Sequence, residues 1–240
     1  MHSFSQFETA LGRLRMQLDA YCAACGRPAN EVGILPVTKR QPVESIEFAT
    51  CLGMGAVGEN MVQEAASKIE AFSGKVRWEL IGHLQSNKAR LAVELFDRIQ
   101  TIDSLKLLRR IARHAQEAGG RQRILLQVNT SLDPAKHGVL PENADGLVET
   151  ALGLESIVLD GLMTIGLQSP DPAVAQRTFH NLRELRDRLA TDFGQPLAEL
   201  SMGMSGDIEA AVQAGSTLVR VGTGLFGERQ PRAAPSTFSH

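Results

Sequence analysis

Several things are scarce in this 240-residue chain, and each shortage removes a class of function. No stretch approaches ~20 unbroken apolar residues, so no membrane-spanning segment is expected. The start, Met1-His2-Ser3-Phe4-Ser5-Gln6, has no basic region leading into an apolar core, and no secretory signal is expected. Three cysteines are an odd count without framework spacing, which suits a reducing cytoplasm better than a disulfide-stapled fold. Cys22-Ala23-Ala24-Cys25 closes a helical pattern instead of following a strand, and no second pair or group of histidines completes a ligand set, so no metal site is expected. A bias of charge is missing too. The 25 basic and 27 acidic side chains give a net charge of −2 with no long run of one sign, which argues against nucleic acid or an anionic membrane as the main partner.

What is present is an ordinary globular composition, 43% hydrophobic and 22% charged. A chain this long can bury roughly 70–75% of the surface it exposes when unfolded, so its core needs no staples. Residues 4–25 carry helical spacing, with Phe7, Leu11, Leu14, Leu18 and Tyr21 on one stripe. Beyond them, strand signals at 33–39, 55–59, 76–82, 98–103, 123–129, 157–165, 199–204 and 217–222 alternate with helical patterns. Those patterns lie at 43–53, 60–72, 87–95, 104–118, 141–153, 172–192 and 206–214. Such alternation means βαβ units and a parallel sheet. Eight units in about 200 residues predict a closed (β/α)8 TIM barrel, a single α/β domain with an extra N-terminal helix. The competing doubly wound sheet would usually show Gly-x-Gly-x-x-Gly after its first strand, whereas here Lys39-Arg40-Gln41-Pro42 follows. The barrel is expected over residues 1–228, and the proline- and serine-containing stretch 229–240 reads as a frayed tail.

In such barrels reactive groups sit where strands end. Alternation puts Leu35, Val37 and Lys39 on one face, so Lys39 either snorkels out or sits at the mouth of a pocket. At an ordinary pKa of about 10.4 only roughly one lysine amine in a few thousand is neutral at pH 7, and an amine that attacks a carbonyl gains from desolvation. Ser205-Gly206-Asp207-Ile208-Glu209 opens a helical pattern with Ser205 or Gly206 as cap. Gly222-Thr223-Gly224 offers backbone N–H groups and a hydroxyl. Together they suit one compact phosphate, although a glycine-rich turn that merely closes the barrel fits equally well. Arg220 alternates with Leu218 and Gly222, and if it faces the interior it either pairs with a carboxylate on a neighbouring strand or donates to a ligand. On the residues alone His83 reads as loop packing, Asn60 as a helix cap, Met202 and Met204 as wall or filler, Lys136 as solvated, and helix 176–192 as an outer charged face.

A lysine on the first strand, an arginine on the last and a phosphate cradle beside it suggest a pyridoxal 5′-phosphate (PLP) site. The stretches Val37-Thr38-Lys39, Gly58-Glu59-Asn60-Met61-Val62-Gln63-Glu64, Ile81-Gly82-His83-Leu84-Gln85-Ser86-Asn87-Lys88, Gln127-Val128-Asn129, Gly161-Leu162-Met163-Thr164-Ile165, Leu200-Ser201-Met202-Gly203-Met204-Ser205 and Val219-Arg220-Val221-Gly222-Thr223 together resemble the YggS/PROSC-type PLP homeostasis family. Those proteins are single-domain relatives of the alanine racemase N-terminal barrel. The resemblance implies that Lys39 forms an internal aldimine with PLP. It also implies that Ser205, Gly222 and Thr223 hold the phosphate, that Arg220 faces the pyridine nitrogen, that Asn60 lies near the ring and that Met202 helps form the wall. Lys136 falls where the family carries a further lysine implicated in PLP handling. Two positions depart from the pattern: Gly206, where many members are acidic, and Thr38-Lys39-Arg40-Gln41, where serine and a second lysine are usual.

An arginine facing the pyridine nitrogen cannot accept its proton, so the ring is a weak electron sink. Racemases with this arrangement take a base from a C-terminal β domain. This chain is expected to lack that domain, and its only tyrosine, Tyr21, falls in the N-terminal helix. The expected protein is therefore a cytoplasmic, monomeric PLP carrier with no catalytic residues, its acceptors being PLP-dependent apo-enzymes. A weak PLP-dependent amino-acid racemase and a cofactor-free Schiff-base barrel are the alternatives.

Overall fold

The structure, a computed structural model, describes residues 3–167 and 171–227. The expected tail from about Arg229 lies outside them. Helix α1 (Phe4–Ala24) begins at a capping box in which Ser3 and Gln6 satisfy each other's backbone N–H groups, and it buries Phe7, Leu11, Leu14, Leu18 and Cys22. Phe7 stacks on Phe226 with ring centroids 5.0 Å apart, which fastens the helix to the end of the last βα unit. Each such fully buried side chain contributes about 1.5–3 kcal/mol.

Eight parallel strands follow: β1 (Gly33–Pro36), β2 (Ala56–Glu59), β3 (Arg77–Leu80), β4 (Arg98–Ile102), β5 (Gln122–Gln127), β6 (Ile157–Met163), β7 (Glu199–Ser201) and β8 (Leu218–Val221). The helices that alternate with them are α2 (Glu44–Cys51), α3 (Val62–Ala71), α4 (Ala89–Leu95), α5 (Leu105–Glu117), α6 (Ala144–Leu152), α7 (Pro172–Phe193), α8 (Ile208–Gln213) and a single-turn α9 (Thr223–Phe226). The ladder runs β1-β8-β7-β6-β5-β4-β3-β2. A Val37–Gly58 bridge joins its two ends, and Thr38 N–H donates to Gly58 O at 3.0 Å. The sheet thus closes into the expected barrel, with a thin seam between β1 and β2.

Alternation sorts each strand. Outward residues such as Val57, Leu80, Ile99, Leu126, Leu162 and Val219 join the main core under the helices. Leu35, Val37 and Ile81 form a separate small cluster inside the barrel with Ala56 and Leu218. Much of the remaining interior is polar, although Leu125 and Met163 are also fully buried outside both clusters. At the N-terminal floor Arg98 makes a bidentate pair with Glu79 (2.9 and 3.0 Å) and a 2.6 Å bond to Glu199. From there Glu79 accepts from Gln100 at 2.6 Å, and Gln100 accepts from Ser201 at 2.6 Å.

Several element boundaries differ from the sequence-based expectation, and three differences bear on the site. The β1 ladder stops at Pro36, so Lys39 sits in the turn that follows the strand. Neither Ser205 nor Gly206 caps α8; the helix begins later, at Ile208, after Asp207. The single turn α9 was not expected, because four residues are too few to show a period.

Candidate functional site

A cavity of about 1120 Å³ opens at the C-terminal mouth, where barrels of this kind carry their chemistry. Lys39, Asn60, Ser205, Arg220, Gly222 and Thr223 all line it, with Val37 and Ile81 as its apolar floor. Of the residues predicted for the site, Met202 is the one set apart. It is fully buried in the outer core, because strand alternation turns Ser201 inward and Met202 outward, and Met204 takes the place on the cavity wall.

Each side chain is placed by an identifiable local cause. The turn at Lys39 is tied down on both sides: Thr38 Oγ1 donates to Glu59 at 2.6 Å, and Arg40, at φ 58°, donates its N–H to Glu64 at 2.5 Å. Asn60 follows β2 directly, and the loop after β3 packs on its backbone. A Cβ at Gly82 would come within 2.1 Å of Asn60 O, so only glycine allows that approach.

Arg220 is 3% exposed. It donates to Ser201 Oγ at 2.7 Å and to Thr164 O at 2.8 Å. The ion pair that the sequence left open is not made: no carboxylate among the described residues lies within 4.0 Å, and Asp207 acts on it only from farther off. Burial pulls the guanidinium down to about 10, with Asp207 opposing.

The cradle is formed where the loops after β7 and β8 meet. Ser205 Oγ accepts from Gly224 N–H at 3.3 Å and from Thr223 Oγ1 at 3.4 Å, so two hydroxyls and the backbone of a helix start share one corner of the cavity. Asp207 holds the adjoining turn by accepting Met204 N–H at 2.5 Å, and its own burial raises its pKa. Space around Gly206 is open, with nothing within 4 Å of a Cβ there, so the departure from an acidic residue leaves the cradle's backbone untouched.

The structure corrects the reading of Lys136 as solvated. Its amine is half-buried and donates to Gly166 O at 2.5 Å, and burial lowers its pKa. Tyr21 and Gln17 of α1 also line the cavity, a placement no sequence spacing could reveal because it depends on how α1 docks. Lys68 was missed as well. It sits behind the Lys39 turn, and its i,i+4 spacing from Glu64 was the available signal.

His83, Asp103 and His137 gather on the rim, a histidine group the sequence did not disclose, with potential ligand atoms within 4.8 Å of one another. The two imidazoles are stacked, however, with centroids 3.8 Å apart and planes at 12°. Ring-nitrogen lone pairs lie in the ring plane, so near-parallel rings do not aim at a common ion. Of the Cys-x-x-Cys pair, Cys22 is buried on the inner face of α1 and Cys25, half-buried, caps the helix.

Comparison with known proteins agrees with this geometry. The family "alanine racemase, N-terminal domain" matches residues 10–230. The pyridoxal phosphate homeostasis protein of Vibrio cholerae is 41% identical over 218 residues, covering 89% of this chain and 92% of its own. That of Escherichia coli is 36% identical over 226 residues, covering 91% and 95%. Among solved structures, PipY of Synechococcus elongatus with PLP bound superposes with a TM-score of 0.82 at 36% identity, covering 92% of this chain and all of that one. Alanine racemase of Clostridium difficile shares the fold at a TM-score of 0.75 and 15% identity; the match covers 94% of this chain and 57% of the racemase. This chain therefore belongs to the alanine racemase N-terminal domain family and, within it, to the pyridoxal phosphate homeostasis proteins.

Proposed function

We propose that this protein binds pyridoxal 5′-phosphate in the mouth cavity as an aldimine on Lys39, and that it stores, delivers or buffers the cofactor without strong catalytic activity. The observation that carries the reading is convergence. An amine (Lys39), a cradle (Ser205, Gly222, Thr223) and a buried arginine with no ion pair among the described residues (Arg220) line one cavity, with Asn60 beside them. These match three of the cofactor's polar features, its aldehyde, its phosphate and its ring nitrogen. Bound PLP supplies an electron sink, which is strong only when its ring nitrogen is protonated. Arg220 keeps that nitrogen unprotonated, since a guanidinium donates and cannot accept. Holding the cofactor is then favoured over chemistry on it. The acceptors in this reading are PLP-dependent apo-enzymes, and the carrier is a cytoplasmic monomer.

The purified protein should be yellow, and borohydride reduction followed by peptide mapping should find PLP on Lys39. Lys39→Ala should abolish both the band and the adduct; a colourless wild type that stays colourless with added PLP sinks the reading. Tyr21 on the cavity lining favours one second reading, a weak amino-acid racemase with that phenol as a proton donor or acceptor. Turnover of amino acids that is lost in Tyr21→Phe would establish it.

A further inference from the structure

Lys39 lies beside a thin seam of the barrel. Between β1 and β2 the ladder is reduced to the Val37–Gly58 bridge and the Thr38 N–H bond to Gly58 O. Immediately behind that seam, on the side away from the cavity, is a buried ionic cluster. Glu59 is fully buried at the end of β2, and Lys68, 8% exposed, reaches in from α3. The Lys68 amine uses all three of its protons: to Thr38 O at 2.6 Å, to Glu59 Oε1 at 2.7 Å and to Glu64 Oε1 at 2.8 Å. Thr38 Oγ1 donates to the same Glu59 oxygen, and Glu64 holds the Arg40 N–H. Every one of these bonds ends on the residue before Lys39, on the residue after it, or on a group that holds one of the two.

The cluster is also expensive to maintain. Glu59 Oε2 is buried with no hydrogen-bond partner among the described residues, and burial pushes the Glu59 carboxyl up despite the adjacent ammonium. Arg40 occupies left-handed backbone without being glycine. A seam that only had to be closed would be closed at lower cost by apolar side chains, as the outer faces of the other strands are.

We propose that Glu59 and Lys68 are positioning residues for Lys39: by clamping Thr38 and, through Glu64, Arg40 to α3, they fix the turn from which the Lys39 amine enters the cavity. The inference rests on the reading that Lys39 is the amine that takes the cofactor, and its test separates the two. Lys68→Met removes the clamp but strands a buried carboxylate, so its melting temperature should drop. Glu59→Gln combined with Lys68→Met removes the stranded charge while keeping an acceptor for Thr38, and should recover most of that drop.

If the pair positions Lys39, the double variant still fails at the site. Amide hydrogen exchange across Val37–Gln41 should be about tenfold faster than in the wild type, and borohydride-trapped PLP on Lys39 should accumulate about tenfold more slowly. A double variant with recovered melting temperature whose exchange and trapping equal the wild type's overturns the proposal. Should wild-type protein trap no PLP at Lys39, the cofactor reading fails and the exchange rates alone decide the positioning claim. If neither Lys68 variant folds, Thr38→Val serves, because it deletes only the hydroxyl bond to Glu59. Faster exchange of the same segment supports the clamp, and unchanged exchange overturns it.

Discussion

Arg98 and Arg220 are buried in the same barrel, one at its N-terminal floor and one at its C-terminal mouth, and their surroundings differ in kind. Arg98 is enclosed by carboxylates: Glu79 in a bidentate pair, Glu199 at 2.6 Å and Asp160 at 3.7 Å. Burial is the largest single influence on it and pulls its pKa down, but Glu79 and Glu199 together outweigh that and raise it. Among the described residues Arg220 donates only to a serine hydroxyl and a backbone carbonyl, and burial lowers its pKa. A line of hydrogen bonds through Ser201, Gln100 and Glu79 joins the two, so they share one network while serving opposite needs. A guanidinium neutralised on every side is part of the scaffold. One desolvated and left short of negative charge keeps its capacity for a ligand, and it does so at the end of the barrel where the cavity opens.

The comparison can be broken in three ways, from the largest effect to the smallest. Arg98→Met should destabilise by about 3–5 kcal/mol, because it strands buried carboxylates. Urea unfolding measures this, and a loss under about 1 kcal/mol would mean the floor network is ornamental. Arg220→Met should change unfolding free energy by no more than about 1–2 kcal/mol, since it removes two hydrogen bonds along with an unpaired desolvated charge. Its effect should fall on the ligand instead, weakening PLP binding about tenfold or more in a spectroscopic titration. A variant that binds PLP like the wild type would return Arg220 to the scaffold.

The third concerns Asp207, the carboxylate that acts on Arg220 from a distance. Burial raises its pKa above 3.8, so over a window that starts there and ends at its folded value the native state holds the proton more tightly than the unfolded chain. The stability this group contributes is complete below the unfolded value and is lost as pH rises through the folded one. Relative to Asp207→Asn, which keeps the bond from Met204, the wild type should lose ground as pH rises above about 3.8, until the folded-state carboxyl is fully ionised. Parallel pH profiles for the two proteins would refute the claim.

The strands and long helices were legible because each has a period and a boundary that local chemistry sets. The strand signal at 98–103 corresponds to β4, and the stripe of Phe7, Leu11, Leu14 and Leu18 to the buried face of α1. Strand alternation also grouped Arg220 with Leu218, and that face is the inner one, whereas Lys39 reaches the cavity from the turn beyond the ladder. On the residues alone Met202 reads as wall or filler, and the family resemblance makes it wall; it fills the outer core instead, because its neighbour Ser201 holds the inward position. What stayed illegible was short or shared. Four-residue α9 has no period, and the half-buried state of Lys136 depends on carbonyls thirty residues away. The stacked histidines on the rim come from loops after two different strands.

A parallel eight-stranded barrel with Lys39 and Arg220 near its strand ends could be read along the chain, because period, hydropathy and turn chemistry are properties of neighbours in sequence. Folding alone sets which polar residues meet inside the barrel, with carboxylates against Arg98 and none within 4.0 Å of Arg220 among the described residues, and it brings Tyr21 to the cavity and Lys68 to the turn before Lys39. Each of those is a matter of how much water and which charges surround a group. That environment is assembled from residues far apart in sequence, and it exists only once the barrel has closed.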